Sequence, residues 1–463
     1  MKKAVKSLWV VSAAFASLAV STESHAVPAF ARQMGAACNA CHQQHFPVLN
    51  TFGQAFKSSG YTMMGSQGQV EGEHLSIPGT LNAAILFKGR YVKTNGTNQG
   101  AVGLGGGAGN NTNNGQWQFG DEFSLFFGGR VAENVGFMFE GNLGGSPNPG
   151  TVGGVPQSAL AAGIKIPFMY DVSDFKVGVI PFSTDALGAA YGFELASTGA
   201  VRNIRWAEHR MDISAQQYVG TATAASGLAF VAKHDMGYVN FSRWTPNHMP
   251  GSNGGAVAST GFSSHYLRAA VTPSIGEWNV QAGVQIWGGQ SEILDGVGAA
   301  GNNQDTKATS IDAQAHGAVS GLPMGVYFTY AKAPAGNANN SNLFNPALVA
   351  TGGQDRKAWT VGADLSVIPN KAHIGAAVRR ANTGAAVRRA NTGAAVGGVV
   401  GGANESDNSW SLMGIYDLAQ NIALHVNYSK RSGSAYDVGN SLDKTVAGSV
   451  GDTLTTFLLE MAW

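Results

Sequence analysis

The chain lacks long apolar runs, is poor in charge and contains only two cysteines. Charged residues make up 12% of its 463 residues, about half of the roughly 25% that is usual for a soluble domain. Beyond the N-terminus no stretch approaches the roughly 18 consecutive apolar residues of a membrane-spanning helix, which excludes a helical membrane protein. The formal net charge of +1 gives no reason to expect binding to a nucleic acid. Hydrophobic residues at 44% and aromatic residues at 9% exclude a disordered chain.

Glycine, in contrast, is abundant, with 64 residues. Low charge combined with abundant glycine leaves two classes of protein: a secreted β protein, such as a sandwich or propeller, or an outer-membrane β-barrel whose lipid-facing surface needs no charge. Both classes require export, and residues 1–26 are typical of a signal peptide. Three lysines precede an apolar run from Leu8 to Val20, and Ser24-His25-Ala26 is a small-x-small cleavage site.

From Leu81 onward, apolar and polar residues alternate with a period of two in short runs separated by Gly/Asn-rich stretches, a pattern typical of β-strands. Seven tight turns alternate with eight long loops, which gives sixteen strands. An even strand number, with short turns at one end and long loops at the other, favours a porin-type barrel over a soluble β protein. The pattern therefore predicts a 16-stranded antiparallel outer-membrane β-barrel over residues 77–463, with periplasmic termini and extracellular long loops. The last predicted strand would place Phe457, Met461 and Trp463 on the lipid-facing side.

The third long loop, residues 183–226, is also the longest. We expect one of two placements for it, either folded into the lumen, where it would narrow the pore, or solvated at the surface. Its charged and aromatic residues are Glu194, Arg202, Arg205, Trp206, Glu208, His209, Arg210 and Asp212.

Both cysteines lie in the sequence Cys38-Asn39-Ala40-Cys41-His42, the C-x-x-C-H pattern of covalent c-type haem attachment. Two thiols at this spacing can bond to the two vinyl groups of one porphyrin while the adjacent histidine reaches the iron, so Cys38 and Cys41 are predicted anchors and His42 the proximal ligand. The alternatives are a redox-active disulfide, which lacks its βαβ context here, and half of a zinc site, which lacks a second cysteine pair. We predict one covalently bound haem c in a module over residues 27–76.

Phe46, Leu49, Phe52 and Phe56 recur at helical steps. This spacing predicts one apolar helix face that begins at Pro47, ends near Gly60 and packs against the haem. About fifty residues are few for an independent core. Because a single haem cannot bridge a hydrocarbon layer of roughly 25 Å, we expect this module to plug the lumen or its periplasmic mouth.

The sixth iron ligand stays open at this point. Met34, Met63 and Met64 are nearby thioethers, and a methionine ligand would raise the haem potential relative to histidine. Strand alternation also predicts three inward histidines toward the periplasmic end of strands 10, 13 and 15, for which polar lining of the lumen is the simpler interpretation. These are His316, His373 and His425. His45 is too close to His42 to reach the opposite haem face and is expected on a helix surface or as a hydrogen-bonding neighbour.

The nonapeptide Gly375 to Thr383 is repeated from Gly384 to Thr392. An odd insertion inside a strand would exchange its two faces, so we expect the repeat to extend a loop. Its four arginines are expensive on a lipid-facing surface, which favours the loop or the lumen. They are Arg379, Arg380, Arg388 and Arg389.

Over about residues 28 to 64, the chain resembles the fused monohaem cytochrome c–porins of iron-oxidising bacteria. The resemblance is carried by residues 29–33, 38–42, 45–47, 49–50, 52–53, 56–57 and 60–62. It implies an outer-membrane Fe(II) oxidase of the iron:cytochrome c reductase type, with haem attached at Cys38 and Cys41 and ligated by His42. Met34 and Gln54 depart from the family pattern, in which we would expect threonine and arginine.

The resemblance also implies that electrons from extracellular Fe(II) pass to a periplasmic carrier, either a cytochrome c or a cupredoxin. Glu194, Glu208 and His209 are candidate contacts for the iron. Two alternatives stay open: a diffusion porin whose haem module gates or senses, and a cytochrome-porin for another extracellular electron donor.

Overall fold

A computed structural model describes most of the chain from residue 28 onward. The described residues are 28–73, 75–97, 113–143, 151–152, 155–156, 161–200, 214–248, 261–292, 303–337, 340–345, 347–384, 404–438, 443, 445, 449 and 451–463. The signal peptide predicted over residues 1–26 lies outside them. Among the described residues, no helix is long and apolar enough to cross a membrane.

Sixteen antiparallel strands form a closed barrel in sequence order, and the last strand pairs with the first. They are β1 (Ala83–Thr94), β2 (Gln116–Ala132), β3 (Val135–Asn142), β4 (Ala161–Lys165 and Phe168–Val172), β5 (Phe175–Thr184), β6 (Ala225–His234), β7 (Gly237–Thr245), β8 (Ser264–Val271 and Ser274–Ile275), β9 (Trp278–Gly288), β10 (Ala308–Val319), β11 (Leu322–Ala333), β12 (Arg356–Ile368), β13 (Ala372–Asn382), β14 (Asn408–Ala419), β15 (Ile422–Ser432) and β16 (Thr453–Ala462). The predicted 16-stranded barrel is thus confirmed.

Smaller elements accompany the barrel. Among the described residues, three two-stranded sheets pair Gln69–Gly72 with Leu75–Pro78, Thr151–Val152 with Val155–Pro156, and Gln290–Glu292 with Asn303–Asp305. The α-helices are α1 (Pro28–Met34), α2 (Cys38–Cys41), α3 (Thr51–Ser58) and α4 (Ala215–Val219), and the 3-10 turns are Ala189–Tyr191, Val349–Thr351 and Ser434–Tyr436.

The strands bury polar side chains and expose apolar ones. In β9, Val284 is 45% exposed whereas Gln285 is 1% exposed, and in β15 the exposed Leu424 and Val426 alternate with the buried Asn427. This is the reverse of a soluble protein and is the pattern of a barrel with a polar lumen and an outer surface that faces lipid.

Connections of two or three residues alternate with long ones, as predicted. The short connections lie together at one end of the barrel, here called the turn end, and the long ones at the opposite loop end. Ser320 and Gly321, which join β10 to β11, have φ of 53° and 79°. Positive φ at both central residues is typical of the hairpin turn whose twist matches the flanking strands.

Residues 28–66, here called the plug, lie inside the barrel at its turn end. Gln44 Nε2 donates to Asp364 Oδ1 of β12 at 2.8 Å, and Gln54 is hydrogen-bonded to Gln281 of β9. At Gly136 of β3 a Cβ atom would lie 1.8 Å from the Gly60 carbonyl oxygen, so the backbone of the plug is in direct contact with the backbone of the wall. The boundary predicted at residues 76–77 stays a prediction, and the first barrel strand begins at Ala83.

Helix α3 differs from its prediction. It begins at Thr51 rather than at Pro47, because Asn50 caps it by accepting a hydrogen bond from Gly53 N at 3.0 Å, and asparagine is among the strongest N-cap residues. Phe56 is buried, as expected for the apolar face, but Phe52 is 40% exposed.

The third loop folds into the lumen. It leaves the wall after β5, and its helix α4 packs against β11 and β12 on another side of the barrel. Ala215 N donates to Thr329 Oγ1 of β11 at 3.0 Å, and Asn240 Nδ2 of β7 donates to Phe193 O at 2.9 Å. Of the two expected placements, the described part of the loop therefore has the one inside the lumen. Residues 201–213, which hold Arg202, Arg205, Trp206, Glu208, His209, Arg210 and Asp212, lie outside the described residues.

The first copy of the nonapeptide forms most of β13, and the second begins in the following loop at Gly384. The rest of the second copy, with Arg388 and Arg389, lies outside the described residues. Arg379 points into the lumen and donates to Asp407 Oδ1 at 2.6 Å. Arg380 points outward, paired with Trp359 near the loop end. The prediction that Arg380 lies in a loop or in the lumen is therefore wrong. An arginine close to the membrane interface costs only about 0–1 kcal/mol.

The free-energy cost of an arginine on the outer surface should depend on its depth in the membrane. Val284→Arg, near the middle of β9, should lower the free energy of unfolding in lipid by about 2–4 kcal/mol, whereas Ile275→Arg at the turn end should cost about 0–1 kcal/mol. Urea unfolding in liposomes measures both values. Equal costs at the two positions would contradict the assignment of β9 to the hydrocarbon layer.

Candidate functional site

Helix α2 carries both cysteines, one helical turn apart. Cys38 and Cys41 are not joined by a disulfide, and His42 directly follows the helix, with its N–H donating to Cys38 O at 3.0 Å. Helix α3 packs closely on α2, since a Cβ atom at Gly53 would lie 2.1 Å from the Cys41 carbonyl oxygen. The contact between the two helices therefore requires glycine at this position.

A cavity of about 520 Å³ lies between the plug, the wall and the third loop, and its lining is mainly apolar. Its size is typical of ligand-binding clefts. The plug residues that line it include Met34, Cys38, Cys41, His42, Phe46, Leu49 and Phe56. The C-x-x-C-H motif and most of the predicted apolar face thus share one cavity.

The His42 ring is oriented by the backbone. Its Nδ1 lies 3.3 Å from Val48 O, so an Nδ1–H donates there and the lone pair is left on Nε2. Burial lowers the pKa of His42 to about 4, although hydrogen bonding to Val48 O acts in the opposite direction. The ring is therefore neutral, and a neutral imidazole whose other nitrogen donates to a carbonyl is the form in which histidine binds metals.

Two lysines also line the cavity, Lys57 of α3 and Lys165 of β4. Lys165 Nζ donates to Tyr191 O at 3.1 Å and lies 4.2 Å from the centroid of the Tyr191 ring. Burial lowers the pKa of Lys57, while Glu194 opposes this effect. Four carboxylate side chains line the same cavity, so a ligand there meets charges of both signs. They are Glu122, Glu140, Asp185 and Glu194.

The candidate sixth ligands lie in different places. Met34 lines the cavity, whereas Met63 and Met64 are not among its lining residues. Met138 of β3 also lines it and was missed, although its neighbours Phe137 and Phe139 indicate by alternation that Met138 faces the lumen.

The three predicted inward histidines are all buried near the turn end, and none lines this cavity. The His316 ring centroid lies 5.6 Å from that of Tyr327. His373 Nε2 lies 2.9 Å from Asp417 Oδ2, and His425 Nε2 lies 3.4 Å from Glu460 Oε1.

His45 is a hydrogen-bonding neighbour rather than a helix-surface residue. It is 4% exposed, with Nδ1 3.1 Å from Asp417 Oδ1 and Nε2 2.9 Å from Glu460 Oε1. These contacts tie the plug to β14 and β16. Burial acts to lower the pKa of His45, but the two carboxylates raise it to about 9.

Glu194 of the third loop, an expected iron contact, is engaged by the wall. Its Oε2 lies 2.9 Å from Arg268 Nε of β8, and its Oε1 accepts a hydrogen bond from Tyr238 OH. Arg268 in turn donates to Asp312 of β10. Glu194 therefore fastens the third loop inside the lumen.

Several solved structures are similar to this chain. OprB of Pseudomonas putida has 9% identity and a TM-score of 0.49, covering 83% of this chain and 94% of its own. The outer-membrane channel DcaP of Acinetobacter baumannii has 12% identity and a TM-score of 0.48, covering 83% and 97%. OmpT of Vibrio cholerae has 10% identity and a TM-score of 0.42, covering 86% and 100%.

No protein-family model matches the chain, and no curated protein matches it.

The buried pair of Glu194 and Arg268, which holds the third loop, should contribute more to the free energy of unfolding than an exposed ion pair. Glu194→Gln should lower the free energy of unfolding by about 3 kcal/mol, because it breaks a buried ion pair and leaves Arg268 Nε without its carboxylate partner. Lys332→Gln is the control, since Lys332 and Asp355 form a pair whose side chains are 44% and 41% exposed, and it should cost under about 1 kcal/mol. Equilibrium urea unfolding compares the two, and a loss for Glu194→Gln no larger than that of the control would contradict the fastening role.

Proposed function

We propose that this protein is an outer-membrane electron-transfer barrel that carries one covalently bound c-type haem in its lumen and oxidises extracellular Fe(II). The observation that supports the proposal is the enclosure of Cys38, Cys41 and His42 in one largely apolar cavity of about 520 Å³. A solvated C-x-x-C-H segment would give the motif without the space for a macrocycle.

The residues present fit such a group. Cys38 and Cys41 would hold it through thioethers, and His42 Nε2 is the nitrogen left for the iron by the contact of Nδ1 with Val48 O. Lys57 and Lys165, which share the cavity with four acidic side chains, would pair with the two propionates. When bound, the haem supplies a one-electron carrier whose potential rises with a methionine ligand, and Met34 and Met138 bring thioethers to the cavity wall.

The chain's other residues control access to this cavity. Phe46, Leu49 and Phe56 form an apolar wall that excludes water, and the third loop borders the cavity through Leu187 and Leu195. With the turn end in the periplasm, the plug lies on the side from which a periplasmic cytochrome c or cupredoxin would receive the electron. The long loops would then face the Fe(II) outside.

A diffusion porin is the second candidate, because the closed 16-stranded barrel is an architecture that encloses aqueous channels. In that function the plug and third loop would regulate passage of solutes instead of electrons. Liposome swelling separates the two functions: sugar permeation without reduction of the protein by Fe(II) supports the porin.

Covalent attachment is tested directly. The double variant Cys38→Ser/Cys41→Ser should lose haem-dependent peroxidase staining on denaturing gels completely, because serine forms no thioether with a vinyl group. Cys38→Ser alone should retain one possible bond and weaker staining. Wild-type protein without stain, after expression with a functional c-type maturation system, would refute the haem.

Electron transfer is tested anaerobically. Fe(II) added to purified outer membranes should produce the reduced c-haem absorption bands, and membranes that contain the double serine variant should not respond. Dithionite provides the fully reduced reference spectrum. If dithionite reduces the wild-type haem but Fe(II) does not, at either acidic or neutral pH, the result supports the presence of haem and refutes Fe(II) as its electron donor.

A further inference from the structure

Two histidines and one carboxylate converge where the plug meets the barrel wall. His45 comes from the plug, His425 from β15 and Glu460 from β16, and their ligand atoms all lie within 4.8 Å of one another. All three residues are buried, with exposed fractions of 4%, 4% and 6%. None of them lines the proposed haem cavity.

We propose that His45, His425 and Glu460 bind one divalent first-row transition-metal ion of the Fe(II) or Zn(II) class. Two imidazoles and one carboxylate form the facial donor set typical of such ions. Two ligands bound to one ion at roughly 2.0–2.2 Å lie roughly 3–3.5 Å apart. Glu460 Oε1 lies 2.9 Å from His45 Nε2 and 3.4 Å from His425 Nε2, close to these separations, and the donor atoms of the two histidines lie within 4.8 Å of each other.

The surrounding contacts orient these donors. His45 Nδ1 lies 3.1 Å from Asp417 Oδ1, so Nδ1–H donates to this carboxylate, and Nε2 offers its lone pair to a metal ion that displaces the proton shared with Glu460. Asp417 is itself positioned by His373, whose Nε2 lies 2.9 Å from Oδ2. Lys88 Nζ lies 3.6 Å from Glu460 Oε2, which leaves Oε1 directed toward the histidines.

The charges also suit a divalent cation. Glu460, Asp417 and Glu122 contribute three negative charges, and Lys88, which is paired with Glu122 and Glu460, contributes one positive charge. Binding of a metal ion displaces the proton that Asp417 and Glu460 stabilise on His45, and with both imidazoles neutral this set then carries a net charge of −2. A divalent ion neutralises it.

The site also lies beside the C-x-x-C-H motif. The Phe46 ring stacks on His45 with centroids 4.6 Å apart, and its centroid is 6.3 Å from that of His42. A bound Fe(II) would therefore be held next to the proximal histidine, a consequence that rests on the proposed function. Metal binding itself does not rest on it.

Zinc is the appropriate probe, because Zn(II) is redox-inert. A measurement of its binding depends neither on the presence of haem nor on the oxidation of iron. Equilibrium dialysis of the purified full-length protein, with metal counted by mass spectrometry, should find one Zn(II) per chain. His425→Gln and Glu460→Gln should each weaken binding at least tenfold. His316→Gln, which alters a buried lumenal histidine outside the cluster, should bind Zn(II) like the wild type.

Absence of zinc from the wild-type protein would overturn the site and would mean that the cluster is only a set of ion pairs. X-ray absorption of bound zinc provides a second measurement that needs no variant. Nitrogen and oxygen ligands at roughly 2.0–2.2 Å are expected, whereas sulfur ligands would place the ion at Cys38 and Cys41 and refute the proposal. Reduction of the haem by Fe(II) is unaffected by this test, so the two proposals can fail separately.

Discussion

Backbone hydrogen bonding in a hydrocarbon layer is the constraint on which this structure depends. No water is available there to satisfy N–H and C=O groups, so a sheet in lipid must close on itself. Pairing of β16 with β1 provides that closure. Closure divides the alternating side chains into an apolar outer set and a polar inner set, and it creates a lumen that the plug and third loop occupy.

The polar lumen in turn determines how its contents are held. Charged groups in a water-poor interior need partners, and both inserted segments are fastened to the wall by such pairs. His45 joins the plug to Asp417 and Glu460, and Glu194 joins the third loop to Arg268. The mainly apolar cavity lies between these two fastened segments, where the C-x-x-C-H motif faces it.

Much of this architecture was predictable because it follows from local pattern. Period-two alternation and connection length predicted the strands, whereas the haem indicated by the spacing of Cys38, Cys41 and His42 stays a prediction. The start of α3 was predicted wrongly because Asn50 competes with Pro47 as a start signal. The outward Arg380 was predicted wrongly because alternation alone does not give the depth of a residue in the membrane. Met138 was missed although its strand pattern directs it to the lumen.

The alternating sequence determined which face of each strand is polar, and the local C-x-x-C-H motif determined that Cys38, Cys41 and His42 lie together, since both depend on residues close together in the chain. The location of the third loop and the partner of His45 depend on barrel closure. His45 and Glu460 are separated by 415 positions, and no local pattern relates them. Only the closed barrel brings β14, β15 and β16 around the plug and assembles the cluster of His45, His425 and Glu460.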